Sequence, residues 1–212
     1  MVRGGWEGHA PVETTELFIP GLRDAGFAVS VAEDLDVYLD SELLASTDLI
    51  VQCWSMGTLS DAQSAGLLAA VAAGTGFAGW HGGVVATFRE NREYLRLVGG
   101  LFLFHPKGFL EYEVTIVPAA ATHPIVAGLP DFTVVTEQYW MLTDALNHTL
   151  AQTVITKETA GHGGEPVTMP VVWTRRWGAG KIFVSALGHR LADLTQEPVH
   201  TLTARGLLWA SR

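Results

Sequence analysis

The chain has 212 residues, 48% of them hydrophobic and 17% charged, a composition that fits one well-filled globular domain over residues 1–212 and excludes disorder. Its net charge is −9 with no Lys/Arg run, so a nucleic-acid partner lacks the basic footprint it requires. No apolar run approaches the roughly 20 residues that span a bilayer, and the one cysteine, Cys53, fits a reducing, cytoplasmic setting.

The elements alternate. Met1-Val2-Arg3 ahead of the loop-like GGWEGH (4–9) is too short for an ordinary first strand, so either the sheet opens on a stub or the natural start lies upstream. Residues 11–25 are predicted as a helix with Pro11 in its first turn and Gly26 as the stop; Pro20 sits awkwardly in it. FAVSV (27–31) alternates as a strand and DLIVQCW (48–54) is an apolar strand. Residues 60–74 form a helix with a Ser60/Gln63 capping box and a Gly74 finish. GFAGW (76–80) is a buried strand, followed by a helix within 84–98. Strands are expected at 111–117, 132–139 and 150–156, then a hairpin over 170–187 turning at 178–180, and a last helix over 196–210. This βαβαβ rhythm predicts an α/β fold with helices on both faces of a mostly parallel sheet.

Ligands of such sheets bind beyond the carboxyl ends of the strands. His9, His81 and His189 fall there, and His105 and Glu137 lie at strand ends or in loops. Gly79, Gly82 and Gly83 allow a sharp strand-to-helix turn with unusual dihedrals that lifts His81, exposed, above the sheet. Backbone N–H groups of the following helix would favour an anionic or oxygen-rich ligand. Neutral imidazoles and a carboxylate suit proton transfer or a divalent metal such as zinc; His81, His105 and His189 are the candidate ligands. No HExxH or paired CxxC is present, so a metal site must assemble from distant loops.

Each residue also has a plain structural reading. A histidine at a strand end often just satisfies a hydrogen bond, and His105-Pro106 or His123-Pro124 could merely shape a turn. His148, His162 and His200 look like exposed side chains. Trp6, Trp54, Trp80 and Trp140 could stack on sugar rings or fill the core. Arg175 and Arg176 alternate in the hairpin, one inward and one outward. Cys53 reads as a small core residue without a basic neighbour in sequence. Apolar residues around 102–109 offer a contact for a homo-oligomer.

The segments GGWEGH (4–9), GTGFAGWHGG (74–83), EYLRLVGGLFLFHPKG (93–108), HPIVAGLPDF (123–132), TEQYW (136–140), MPVVWTRRWGAGKIFVSALGH (169–189) and RGLLWASR (205–212) together resemble the ThuA-like family, named for trehalose utilisation. The resemblance implies a flavodoxin-like three-layer α/β/α sandwich similar to class I glutamine amidotransferases. Those enzymes place a cysteine at the Gly-x-Cys-x-Gly bend and a later His-x-Glu. Here the bend reads Gly79-Trp80-His81-Gly82-Gly83 and the later segment His189-Arg190-Leu191, so thiol and acid are both missing and thiol-based glutamine hydrolysis is excluded. The setting implied is bacterial carbohydrate catabolism, with a small-molecule sugar as substrate. Positions matching the family's motifs are His9, His81, His105, Glu137, Tyr139, Arg175 and His189; Leu142 departs, standing where close relatives have a histidine.

Two readings follow from these residues. The first is an enzyme that isomerises or hydrolyses a sugar or oxidised sugar, with His81, His189 and Glu137 catalytic and His9, Trp6, Trp80, Tyr139 and Arg175 binding substrate. The second is a non-catalytic sugar-binding or regulatory module. A third, thiol hydrolysis through Cys53, stands behind both.

Overall fold

A computed structural model describes residues 1–106, 108–160 and 164–212; His162 lies outside the described residues. Its central sheet has eight strands: β1 (Val2–Gly5), β2 (Leu49–Ser55), β3 (Gly76–Trp80), β5 (Leu110–Ile116), β6 (Phe132–Thr136), β8 (His148–Ile155), β9 (Val167–Trp177) and β10 (Gly180–Ser185), in the order β1-β2-β3-β10-β9-β8-β5-β6. β1, β2, β3 and β10 pair in parallel, and the remaining pairings are antiparallel. Following those pairings across, only β9 and β5 run against the common direction. A separate two-stranded ribbon joins β4 (Gly100–Phe104) to β7 (Trp140–Thr143).

Side-chain alternation along the inner strands builds two cores, one on each face. Ile50, Phe77, Ile182 and Val184 point to one face, where Leu67 and Val71 of α4 (Asp61–Ala73) and Tyr94 and Leu97 of α6 (Arg92–Val98) cover them. Val51, Ala78 and Phe183 point to the other, against Phe18, Leu22 of α2 (Ile19–Asp24) and Val199, Leu202 and Leu207 of α9 (Glu197–Ala210). That is the layered α/β arrangement expected from the strand–helix rhythm. The Ser60/Gln63 capping box and the Gly74 stop of α4 form as predicted, with Gly74 at φ +122°. The hairpin joins β9 to β10 as predicted.

Three local expectations change. The helix at 11–25 is two, α1 (Pro11–Glu16) and α2, because Pro20 starts a new first turn instead of interrupting an old one. The alternating FAVSV segment is not a strand: β1 is only four residues long, and the bridge to it, at Val2, comes from Ala32, the residue after the segment. The helix within 84–98 splits into α5 (Gly82–Val85) and α6, the latter with its own Asn91 cap. α3 (Ser41–Ser46), α7 (Lys157–Ala160) and α8 (Leu191–Leu194) complete the helices named here. Around 102–109, Leu103, Phe104 and Phe109 are exposed. No helix among the described residues is long and apolar enough to cross a membrane.

Candidate active site

The parallel register brings Gly5 beside Ser55 and Trp80 beside Ser185, so the chain leaves β1, β2, β3 and β10 at one end of the sheet. β6 runs in the same direction and releases Glu137 there. Five polar side chains meet at this end: His9 after β1, His81 after β3, Glu137 after β6, His189 after β10, and His105 after β4.

His81 occupies a strained bend, φ +48° and ψ −143°, a conformation that costs a residue with a Cβ about 1–3 kcal/mol. Its backbone is over-determined: its N–H donates to Ser185 O at 2.7 Å, and its carbonyl accepts from Val84 and Val85 at 3.1 and 3.0 Å. The neighbouring glycines serve another purpose than the one the sequence suggested. None of Gly79, Gly82 and Gly83 has positive φ; each instead removes a Cβ that would collide. At Gly82 it would strike the His9 ring, at Gly83 the Cys53 backbone, and at Gly79 the Gln52 carbonyl. α5 is one turn long, and the amides of Val84 and Val85 both bond the His81 carbonyl.

The His81 ring is buried, not exposed, yet its surroundings are polar. Nδ1 donates to Ala186 O at 2.9 Å; a carbonyl only accepts, which fixes the proton on Nδ1 and leaves Nε2 with a lone pair. Tyr139 Oη donates to that lone pair at 2.6 Å and stacks its ring on the imidazole. Glu137 Oε2 stands 3.1 Å from the same Nε2 and 3.1 Å from His189 Nδ1, while Oε1 lies 3.3 Å from His105 Nε2. His189 Nδ1 is buried and its approach to Glu137 lacks the direction of a hydrogen bond. His9 Nδ1 is held by Ser55 Oγ at 2.6 Å, and the His9 ring meets those of His81 and His189 edge-on at 4.8 and 5.1 Å.

Electrostatics set the charge states. Burial, reinforced by the imidazoles of His81 and His189, pushes His9 down to about 3. Burial also lowers His81, against the opposing pull of Glu137 and Ala186. Burial alone would raise Glu137, but the neighbouring imidazoles of His189 and His81 outweigh it and hold the carboxyl below its usual range. Tyr139 is driven up, first by burial and then by Glu137, so its phenol keeps its proton. Neutral His9 and His81 thus face an ionised carboxylate.

One ligand atom from each of His9, His81, Glu137 and His189 can be chosen so that all lie within 4.8 Å of one another. Three imidazoles and a carboxylate are a donor set for zinc or a similar divalent cation. Two observations fit such an ion: the partnerless buried Nδ1 of His189, and the confrontation of an imidazole lone pair with a carboxylate oxygen at His81 and Glu137. Ser55 and Ala186 orient His9 and His81 from behind, as outer partners of metal ligands do. Two hollows of about 690 and 810 Å³ elsewhere on the surface share none of these side chains.

The other predicted residues divide. Trp6 is exposed at the rim, edge-on to His9 at 4.7 Å, and Tyr139 is inside the cluster. Trp80 is not at the site: its side chain turns into the opposite core against Phe18. Arg175 is not there either. It lies three residues back from the site end of the hairpin, roughly 10 Å along the strand, braced on Asn147 at 2.9 Å and Asp144 at 3.4 Å. His105 touches Glu137 Oε1 and lies parallel to the Tyr139 ring at 6.1 Å, but stands outside the four-donor group. Leu142, where the family resemblance led one to expect a histidine, is exposed on β7. Cys53 is buried with its thiol pushed up to about 11, first by burial, so it is no nucleophile at neutral pH. Sequence reasoning missed Ser55, Tyr112, whose hydroxyl donates to Glu137 O at 3.0 Å, Phe109, edge-on to His189 at 5.2 Å, and Asp193. Ser55 was within reach, one residue past the predicted end of its strand; the others needed tertiary geometry.

Fold and site define a layered α/β domain whose strand-to-helix bend presents an imidazole at the carboxyl end of a parallel sheet. A family profile described as trehalose utilisation, ThuA, matches residues 1–210, and the chain belongs to the ThuA family. Its fold is similar to that of a ThuA-like protein from Parabacteroides merdae (21% identity, 99% of this chain and 88% of that one, TM-score 0.76). It is also similar to one from Bacteroides uniformis (17%, 99% and 88%, TM-score 0.77) and to a cytoplasmic protein from Salmonella typhimurium (13%, 95% and 87%, TM-score 0.65). No protein with a curated description matches the sequence.

Proposed function

We propose that this chain is a cytoplasmic enzyme of carbohydrate utilisation that modifies a sugar or an oxidised sugar at a divalent-cation site formed by His9, His81, Glu137 and His189. Membership of a family described by trehalose utilisation supports the substrate class. The observation that carries the site is the convergence of four ligand atoms from four separate segments, two buried and two half-buried, with His189 Nδ1 lacking any hydrogen-bond partner among the described residues.

A bound zinc ion would polarise a carbonyl or hydroxyl oxygen of the sugar as a Lewis acid. The chain's own groups do the rest. His9 and His189 offer nitrogens, and His81 offers Nε2 once the Tyr139 hydroxyl turns aside. That turn frees the Tyr139 proton as a donor for a substrate oxygen. His105, a third exposed and in contact with Glu137 Oε1, provides a proton path between the carboxylate and solvent. Trp6 and Phe109, both exposed and each edge-on to a histidine of the cluster, offer apolar faces to the C–H side of a sugar ring.

The test is elemental analysis of protein purified without chelator, together with turnover of a panel of sugars and their oxidised forms. Stoichiometric zinc lost in His189→Ala, with turnover lost in parallel, supports the reading. Full activity in strong chelator, or no bound transition metal under saturating supply, rejects the metal. Sugar binding without turnover would favour the non-catalytic module.

A further inference from the structure

The His189–Glu137 approach joins segments 52 positions apart in the chain. The sequence lacks an acid two residues after His189, but carries one four residues after it. We propose that Asp193 is a positioning residue, a buried carboxylate that clamps the His189 loop to the end of β6 and so sets the spacing of His189 and Glu137; this rests on the cation-site reading above.

The contacts are specific. Asp193 is buried, and its Oδ2 accepts from Thr136 Oγ1 at 2.6 Å and from the Arg190 backbone N–H at 3.3 Å. Its Oδ1 accepts from Arg190 Nε at 3.0 Å. Arg190 then reaches across, donating Nη2 to Val135 O at 3.2 Å and laying its guanidinium over Phe109 at 4.1 Å. Thr136 is the residue before Glu137, and Arg190 the residue after His189. One carboxylate therefore fixes atoms next in chain to both members of the pair.

The chemistry calls for an acid. All three contacts to Asp193 come from donors, so both oxygens must accept. An Asn of the same shape would turn an NH₂ toward one of those donors, and a Leu would leave the buried Thr136 hydroxyl unpaired. A cap on the one-turn helix α8 would not need Thr136 from a distant strand; the bond to Thr136 is what links α8 to β6. Metal sites need their ligands within about 0.5 Å of the working geometry, and loss of an outer partner typically weakens metal affinity 10–100-fold.

The experiment measures zinc affinity of the full chain by competition with a chromophoric chelator, and amide hydrogen exchange of the metal-free protein. Asp193→Asn is expected to weaken zinc binding 10–100-fold and to speed exchange at 136–137 and 189–193, leaving α4 unchanged. In a double-mutant cycle with Thr136→Val, its partner in the clamp, the two effects should be less than additive. Thr136→Val, which keeps Asp193 and its bonds to Arg190, should reproduce a smaller part of both changes and serves if Asp193→Asn fails to fold. Zinc affinity within twofold of the parent with unchanged exchange overturns the clamp, as does a loss that adds in full to that of Thr136→Val. A parent chain that binds no zinc sinks the cation site instead, and the exchange data then decide the clamp by themselves.

Discussion

The parallel half of the sheet, β1, β2, β3 and β10, and the half from β9 to β6 contribute to the site in different ways. The first delivers His9, Ser55, His81 and His189 by a single rule: parallel neighbours release the chain at the same end. The second delivers Glu137 from its outermost strand, with Tyr112 behind it. Its strands alternate in direction, so the rule reaches only those that run with the parallel set, β8 and β6. The parallel half supplies imidazoles on close-packed backbone, and the antiparallel half supplies the carboxylate. Each is incomplete without the other.

The largest expected effect comes from removing one contribution from either half. His81→Ala and Glu137→Gln should each lower zinc affinity by more than the ~100-fold typical of an outer partner and abolish turnover, while both proteins fold. Loss from one half only, measured by the same chelator competition, would break the symmetry of the account.

Next is backbone tolerance. Gly83→Ala drives a methyl group to 2.8 Å from the Cys53 Cα in the parallel half, and should destabilise the fold by about 1–3 kcal/mol. Gly128→Ala has open space around its Cβ, so only its φ of +76° is strained, at about 1 kcal/mol. Chemical denaturation of the two variants ranks them.

Acid should unfold the metal-free protein from the parallel half first. Folded His9 and His81 have pKa values below the ordinary 6.5, so below that pH the unfolded chain binds more protons and stability falls. Glu137, held below 4.5 in the fold, adds loss of the same sign as pH drops under that value. Each group contributes about 1.4 kcal/mol per pH unit while it lags its unfolded counterpart. Melting temperature measured from pH 7 to 4 should decline, and His9→Gln should flatten the upper part of the curve.

Smaller still, Phe109→Ala should weaken sugar binding several-fold with zinc affinity unchanged, which calorimetry separates. Cys53→Ser should leave activity near the parent level; its loss would revive the thiol.

How much of this was legible in the sequence follows the same division. Glycine finishes, the Ser60/Gln63 box and apolar runs marked the parallel half, because buried parallel strands and capped helices carry strong local signals. His9, His81 and His189 could be placed together from strand ends alone. The ribbon of β4 and β7 went unread, since GLFLF lacks alternation and its partner lies 40 positions away. FAVSV had the alternation of a strand but no full-length neighbour to pair with. Trp80 and Arg175 carried family motifs, yet facing direction and position along a strand, which motifs do not encode, send one to the core and the other away from the site. The strain of the bend was anticipated but assigned to the wrong residue: it sits on His81, and the glycines yield room to Gln52, His9 and Cys53.

The most direct measurement is anomalous scattering from crystals grown with zinc. The account predicts one strong peak about 2.0–2.2 Å from a nitrogen of each of His9, His81 and His189 and from an oxygen of Glu137, with the Tyr139 hydroxyl turned away from His81. Saturating zinc with no peak among these residues, and Tyr139 still bonded to His81 Nε2, would contradict it.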